Sequence, residues 1–539
     1  MAGWNLAECL QRIAAVRADE DALVQRERRI TWRQLERRAN NLAGWMLERG
    51  AAPQGKVALY TYNHPAYMEG VYAAFKAALV PVNVNYRYRE EELRYLLDNA
   101  DAEIAIVHEE FLPLIERLRS ELPRLRGVLV VREGTTPLPA GTADYETVAE
   151  SDREAPAVPL SGEDMMFLYT GGTTGMPKGV MWRQDDLYYR FAAGGMATPP
   201  ADMAALEEYV KAPPLPLRTV IGPPLMHGTG WFTAMIAWMS GGTVILLDDP
   251  KAFDATGLWE LVERTKATTI TIVGDSFAKP MLRALTEAPR RYDLSSVAII
   301  SSSGVMWSQE TKQALLEFNP GMMLIDSFSS SEAIGMGLSV TTAAGVVSTA
   351  KFQLREDTRL FDERLKPIDA KPGAKGLVGV GGRQPVGYFK DPEKSARTFV
   401  EADGKRFSIP GDWAVVNDDG VTLTLLGRGS VCINTGGEKV FPEEVEEVIK
   451  RAAGVKDAVV VGVPDEKWGE AVTAVVSSTG GGLDADVLKS FVKEHLAGYK
   501  APKHVVLVDE VYRSPSGKAD FKRTRQVAME ALGIAARAD

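Results

Sequence analysis

The residues most able to do chemistry stand in one short run, Tyr169-Thr170-Gly171-Gly172-Thr173-Thr174-Gly175-Met176-Pro177-Lys178-Gly179. Glycines let main-chain N–H groups approach an anion closely, threonine hydroxyls add donors or metal contacts, and the lysine adds positive charge. Such a run reads as a short loop built to hold phosphate. It is not a P-loop, because Pro177 precedes Lys178 and Gly179 follows it, so no helix can start at the lysine. A Gly/Thr surface hairpin is the alternative that composition leaves open. Other reactive groups lie downstream. Glu332 follows a serine-rich run, Asp412 ends Pro410-Gly411-Asp412, and Lys518 ends Pro515-Ser516-Gly517-Lys518.

The elements that must position these groups alternate along the chain. Asp164 to Tyr169 reads as a buried strand supporting the glycine run. Apolar residues from Ile30 to Leu47 follow helical spacing, and Lys56–Tyr60 then reads as a short buried strand. The rhythm repeats through Tyr67–Leu79, Pro81–Asn85, Glu90–Asn99 and Ile104–Val107, and returns at 242–247, 269–273 and 297–300. It predicts a large N-terminal domain of layered α/β sheets, largely parallel. A small β-rich portion is expected between Leu360 and Val380. After Arg428 the chain starts afresh, with a helix opening at Pro442, strands at 458–461, 471–476 and 505–508, and a helix from Ala485 to Leu496. The predicted organisation is a domain of residues 1–428 followed by a small α+β domain of residues 429–539.

Length and composition bound the function. The 539 residues are too many for one core. Hydrophobic residues at 45% and charged residues at 25% are ordinary globular usage. The net charge of −10, with dispersed Lys and Arg, argues against a nucleic-acid partner. Cys9 and Cys432 lie far apart without metal-ligand spacing, which fits a reducing compartment. The first residues carry no basic region or long apolar run, and no segment has the uninterrupted apolar length of a spanning helix, so a cytoplasmic location is expected. Oligomeric state is open, a homodimer included.

With the glycine run, six further motifs stand in one order: Pro224-Leu225-Met226-His227-Gly228, Asp326-Ser327-Phe328-Ser329-Ser330-Ser331-Glu332, Pro410-Gly411-Asp412, Gly427-Arg428-Gly429, Gly436-Gly437-Glu438-Lys439 and Pro515-Ser516-Gly517-Lys518. Over nearly its whole length the chain resembles the adenylate-forming superfamily: acyl-CoA synthetases, aryl-CoA ligases, luciferases and peptide-synthetase adenylation domains. The resemblance implies a two-step reaction, carboxylic acid plus ATP to acyl-AMP and pyrophosphate, then acyl transfer to the thiol of coenzyme A. A carboxylate is already ionised at neutral pH and needs no general base, so the demand is electrostatic.

By this resemblance Thr170, Gly171, Gly172, Thr173, Thr174 and Lys178 would cradle the phosphates, and Glu332, with Thr174, would hold Mg²⁺. Ser303, Gly304, Asp326, Ser327, Phe328 and Ser331 would line the adenosine site, where Phe328, Ser329 and Ser331 depart from the usual Tyr-Gly-x-Thr-Glu. Asp412 and Arg428 would contact ribose; Pro410 replaces the usual threonine. Lys518 would be the catalytic lysine of adenylation. Ser430, where relatives carry Asp or Lys, would be the pivot of a domain rotation that brings Gly437, Glu438 and Lys439 to coenzyme A. His227 would gate an acyl pocket that includes Trp231 and Ser302; a helix core face accounts for Trp231 equally well.

Around Tyr169–Trp182, Gly274–Pro280 and Gly427–Asn434 the sequence resembles a branch that includes CoA ligases for fatty acids and steroid side-chain acids, which implies a bulky hydrophobic acid. Aryl or arylpropanoate CoA ligation, a fatty acyl-AMP ligase that loads a carrier protein, and a non-catalytic nucleotide-binding regulatory module are the rival readings.

Overall fold

The computed structural model describes residues 3–132, 134–135, 137–154, 156–172, 175–288, 292–304, 307–345, 351–435, 438–465, 468–480, 482–496, 498–514 and 517–534. The chain divides into two compact units. One comprises Met1–Thr349, Gly381–Val400 and Arg406–Ser408; the other comprises Ala350–Val380, Glu401–Lys405 and Ile409–Asp539. The β-rich residues after Ala350 thus group with the C-terminal residues, ahead of the expected boundary at Arg428.

The first unit contains two mixed sheets. One runs, edge to edge, through Gly337–Thr341, Met323–Phe328, Ile299–Ser303, Thr269–Ile272, Arg218–Ile221, Thr243–Leu246, Asp21–Gln25 and Arg28–Thr31. It is parallel except at its two outermost pairings. The other runs through Gly387–Tyr388, Gly175–Arg183, Met165–Gly172, Val80–Asn83, Lys56–Tyr60, Ala102–His108, Gly127–Val131 and Thr142–Asp144, and only the first two pairings are antiparallel. The near-continuous burial of its inner strands is what coverage on both faces demands.

Local sequence starts the helices. Thr31 and Gln34 cap Trp32–Glu48 reciprocally, each side chain bonding the other's main-chain N–H at 3.2 and 2.9 Å. Ile30 and Thr31, which periodicity assigned to that helix, belong instead to the strand before it. Pro65 occupies the first turn of Pro65–Lys76, where its missing N–H costs nothing. Trp182, Trp231, Trp238 and Trp259 are fully buried. Among the described residues no helix is long and apolar enough to cross a membrane.

The second unit holds an antiparallel sheet of Lys351–Gln353, Thr422–Arg428, Asp412–Val416, Lys375–Val380, Thr358–Phe361 and Pro367–Ile368. A second sheet pairs Glu438–Val440, Ile433–Thr435, Gly469–Ser478 and Val455–Asp465, with His504–Leu507 parallel to Gly469–Ser478. Helices Pro442–Lys450 and Ala485–His495 pack on this sheet through Val445, Ile449, Leu488 and Val492. The paired strands Val455–Asp465 and Gly469–Ser478 extend past the apolar stretches visible in sequence, because backbone pairing continues through polar residues such as Asp457 and Glu470.

Candidate functional site

The glycine run is a strand hairpin rather than an open loop. Tyr169 pairs with Gly179 and Thr170 with Lys178, and pairing continues to Gly172 and Gly175. The two candidate phosphate ligands Thr170 and Lys178 therefore sit opposite each other. Thr173 and Thr174 lie outside the described residues, and of Gly171 and Gly172 only the backbone is described. Gly179 is required by packing: a Cβ there would come within 2.7 Å of the Tyr169 ring.

The hairpin reaches two other candidates of the first unit, Ser331 and Glu332. Lys178 forms an ion pair with Asp391, whose other carboxylate oxygen accepts the Lys394 N–H at 2.9 Å and caps the helix Pro392–Thr398. The hydrogen bond from Lys178, first, and the Lys394 N–H hold the Asp391 carboxyl below the usual range. On the next strand, Tyr388 pairs with Val180 and donates its hydroxyl to Glu332 Oε1 at 2.7 Å. The Glu332 carbonyl accepts Ser408 Oγ at 2.7 Å, and the Ser331 carbonyl accepts Trp182 Nε1 at 2.9 Å. Glu332 is 9% exposed, so its carboxylate is aimed by buried partners rather than loose in solvent.

The adenosine candidates meet at the ends of neighbouring parallel strands. Ser302 pairs with Asp326 and Ser303 with Ser327, at the carboxyl ends where α/β sheets bind ligands. Ser302 Oγ accepts the Gly274 N–H at 2.8 Å, and Ser327 Oγ lies 3.0 Å from Ser329 Oγ. Phe328 is 9% exposed. Gly304 follows directly with φ 92°. Asp326 is already engaged in a buried ion pair with Lys312; burial raises its carboxyl against the pull of that ammonium.

His227 precedes the helix Gly228–Met239, which is apolar all round. Trp231 on that helix is fully buried, edge-to-face with Phe191 at 5.6 Å. One side chain, Asn83, joins this segment to the phosphate hairpin. Its Nδ2 donates to the carbonyls of Met226 and Tyr169 at 2.7 and 2.9 Å, and its Oδ1 accepts the Tyr169 N–H at 2.6 Å.

In the second unit Asp412, 9% exposed, is the direct cross-strand partner of Arg428. Only the backbone of Arg428, Ser430, Glu438 and Lys439 is described; Gly437 lies outside the described residues. Lys518 is exposed on a turn closed by a 2.7 Å bond from the Ser514 N–H to the Lys518 carbonyl.

Asn83, Lys312, Tyr388, Asp391 and Ser408 were not singled out in the sequence. Two carried a signal. Asn83 is a polar residue in an apolar strand, and Lys312 shares the helical face of Leu315 and Leu316. The others have none without their distant partners.

The AMP-binding enzyme model matches residues 10–386, and the AMP-binding enzyme C-terminal domain matches residues 444–518. The chain belongs to the AMP-binding enzyme family. This AMP-binding enzyme is 38% identical over 533 residues to the 3-oxocholest-4-en-26-oate–CoA ligase of Rhodococcus rhodochrous, covering 96% of this chain and 95% of the relative. It is 37% identical to the medium-chain acyl-CoA ligase Mig of Mycobacterium avium, with 96% and 97% covered. Its fold is that of the anthranilate CoA ligase AuaEII, with a TM-score of 0.83, 23% identity and 99% of each chain covered.

Proposed function

We propose that this enzyme is an AMP-forming acid–thiol ligase acting on a bulky hydrophobic carboxylic acid, either a medium- or long-chain fatty acid or a steroid side-chain acid. The observation that carries the reading is the Lys178 ammonium holding an oxyanion, the Asp391 carboxylate, on a hairpin where Thr170 is its register partner. End-to-end similarity to the Rhodococcus ligase supports the substrate class.

In the first half-reaction the acid's carboxylate oxygen attacks the α-phosphorus of ATP and the bond to pyrophosphate breaks. In the second, the sulfur of coenzyme A attacks the acyl carbon, AMP leaves and the thiol proton is released. Lys178 and Thr170, with Thr173 and Thr174, would bind the phosphates. Ser303, Gly304, Ser327, Phe328 and Ser331 would receive adenine, and Asp412 and Arg428 ribose. Lys518 would neutralise charge developing on the α-phosphate during adenylation. His227, Trp231 and Ser302 would border the acyl group.

Magnesium fits the donor chemistry: one hard carboxylate, Glu332, whose Oε1 is oriented by Tyr388, suits an ion that takes most of its other ligands from phosphates and water. When bound it would neutralise phosphate charge. We assign the moving portion to residues 429–539, pivoting at Ser430, with Gly437, Glu438 and Lys439 serving coenzyme A, and we place the activity in the cytoplasm.

A panel of linear, steroidal and aryl acids, assayed for pyrophosphate release with and without coenzyme A, tests the proposal. Acyl-CoA from hydrophobic acids is the expected product. Adenylate without thioester would indicate carrier-protein loading, and silence towards every acid would sink the ligase assignment. A 31% identical feruloyl-CoA synthase of Amycolatopsis favours an aryl acid as the second reading, which the same panel separates.

A further inference from the structure

The turn that presents Lys518 is anchored on both sides of that residue. Arg513 and Ala519 form an antiparallel bridge, and the Gly517 N–H donates to the Ser514 carbonyl at 2.8 Å. Gly517 takes φ 76°, a conformation strained for residues with a Cβ. The Lys518 carbonyl is held by the Ser514 N–H. The carbonyl on the other side, that of Gly517, accepts Arg513 Nη1 at 3.0 Å. This second carbonyl belongs to the peptide group that contains the Lys518 nitrogen. Both planar peptides flanking the Lys518 Cα are therefore tied down, which restrains its φ and ψ and hence the direction of its Cα–Cβ bond.

The guanidinium making this contact is itself gripped. Arg513 Nε and Nη2 bond the two carboxylate oxygens of Asp457 at 2.6 and 2.9 Å, a two-pronged geometry that an ammonium cannot reproduce. Asp457 lies in the strand Val455–Asp465 where its register against Gly469–Ser478 shifts, and its Oδ1 also accepts the Ala458 N–H at 2.8 Å. Burial would raise this carboxyl, but the Arg513 hydrogen bond, with the charges of Lys450 and Arg513, holds it below its ordinary value. Asp457 thus remains ionised and clamps the arginine to the strand Val455–Asp465. The side chains are 16% and 27% exposed, so the pair is only partly screened.

We propose that Arg513, clamped by Asp457, is a positioning residue for adenylation: it aims the Lys518 turn without touching substrate. This rests on the adenylation role assigned to Lys518 above. A misaimed ammonium loses charge stabilisation only where that charge develops, so the first half-reaction should suffer and the second should not.

The test uses the full-length protein in ATP–pyrophosphate exchange and, separately, in thioester formation from supplied acyl-adenylate and coenzyme A. Arg513→Ala should lower the exchange kcat about 10- to 100-fold with little change in ATP KM or in thioester formation. Arg513→Lys should not restore exchange. Adding Arg513→Ala to Lys518→Ala should bring no further loss, because the arginine acts through the lysine. Asp457→Asn, which keeps shape and removes charge, should show the same selectivity in weaker form and serves if Arg513→Ala does not fold. Equal loss in both half-reactions, full rescue by lysine, or additive loss in the double variant would overturn the proposal. Full exchange by Lys518→Ala would instead sink the role of Lys518, whereas an inactive Lys518→Ala beside an unimpaired Arg513→Ala would sink the positioning role alone.

Discussion

Asp412 and Arg428 are direct Cα partners across the antiparallel strands Asp412–Val416 and Thr422–Arg428, and the register shifts immediately afterwards, between Trp413 and Ala414. Two residues singled out separately as ribose contacts thus share one rung. A bulge beside them is a device that re-aims side chains next to a site. Asp412→Ala should weaken ATP binding about 10- to 100-fold, the loss of hydrogen bonds to a charged acceptor. It should also abolish discrimination between ATP and its 2′,3′-dideoxy analogue. Calorimetric titration of both nucleotides checks this; discrimination that survives would place ribose elsewhere.

Lys178 and Asp391 make a second pair whose consequence is competitive. Because Lys178 holds the Asp391 carboxyl below the usual range, Asp391 is ionised near neutrality and, if Lys178 binds phosphate as proposed, would contest the ammonium with it. Asp391→Asn retains an oxygen to cap Pro392–Thr398 while removing the charge. ATP affinity should rise about two- to fivefold, in keeping with a partly exposed ion pair, and Lys178→Ala should weaken it. Unchanged affinity in Asp391→Asn would show that the pair does not compete with nucleotide.

Tyr388→Phe removes only the hydroxyl that orients Glu332. The buried carboxylate oxygen then loses its donor, and the Mg²⁺ concentration for half-maximal exchange should rise about tenfold. The melting temperature should fall as well. A melting shift with an unaltered magnesium requirement would reduce Tyr388 to a stabilising role.

His64 and His108 predict acid sensitivity. Burial, then Arg28, pushes His64 down to about 4; burial, then His64 itself, pushes His108 down to about 3. Their rings meet edge-on at 5.3 Å, and each Nδ1 accepts a main-chain N–H, from Ala66 and Tyr62, which protonation would forbid. Since the folded values lie below the unfolded value near 6.5, the unfolded chain binds more protons in between. Stability should therefore be complete above that pH and decline as pH falls towards 4 and then 3. His64→Asn, an alternative helix cap, should flatten the dependence of melting temperature on pH; an unchanged slope would dismiss this origin.

The sequence alone determined the element types and the chemistry-bearing motifs, because helical and strand periodicity, glycine runs and the lysines at 178 and 518 are local properties. It also carried the family, through motif order. Tertiary structure decided what aims each group. Tyr388 reaches Glu332 across 56 residues, Asn83 reaches Met226 across 143, and Lys178 reaches Asp391 across 213. Neither partner of such a pair shows any local trace of the other. Strand pairing also carried the ladder into a segment whose glycines read as loop, since register is set by the neighbouring backbone and not by the propensity of the run itself.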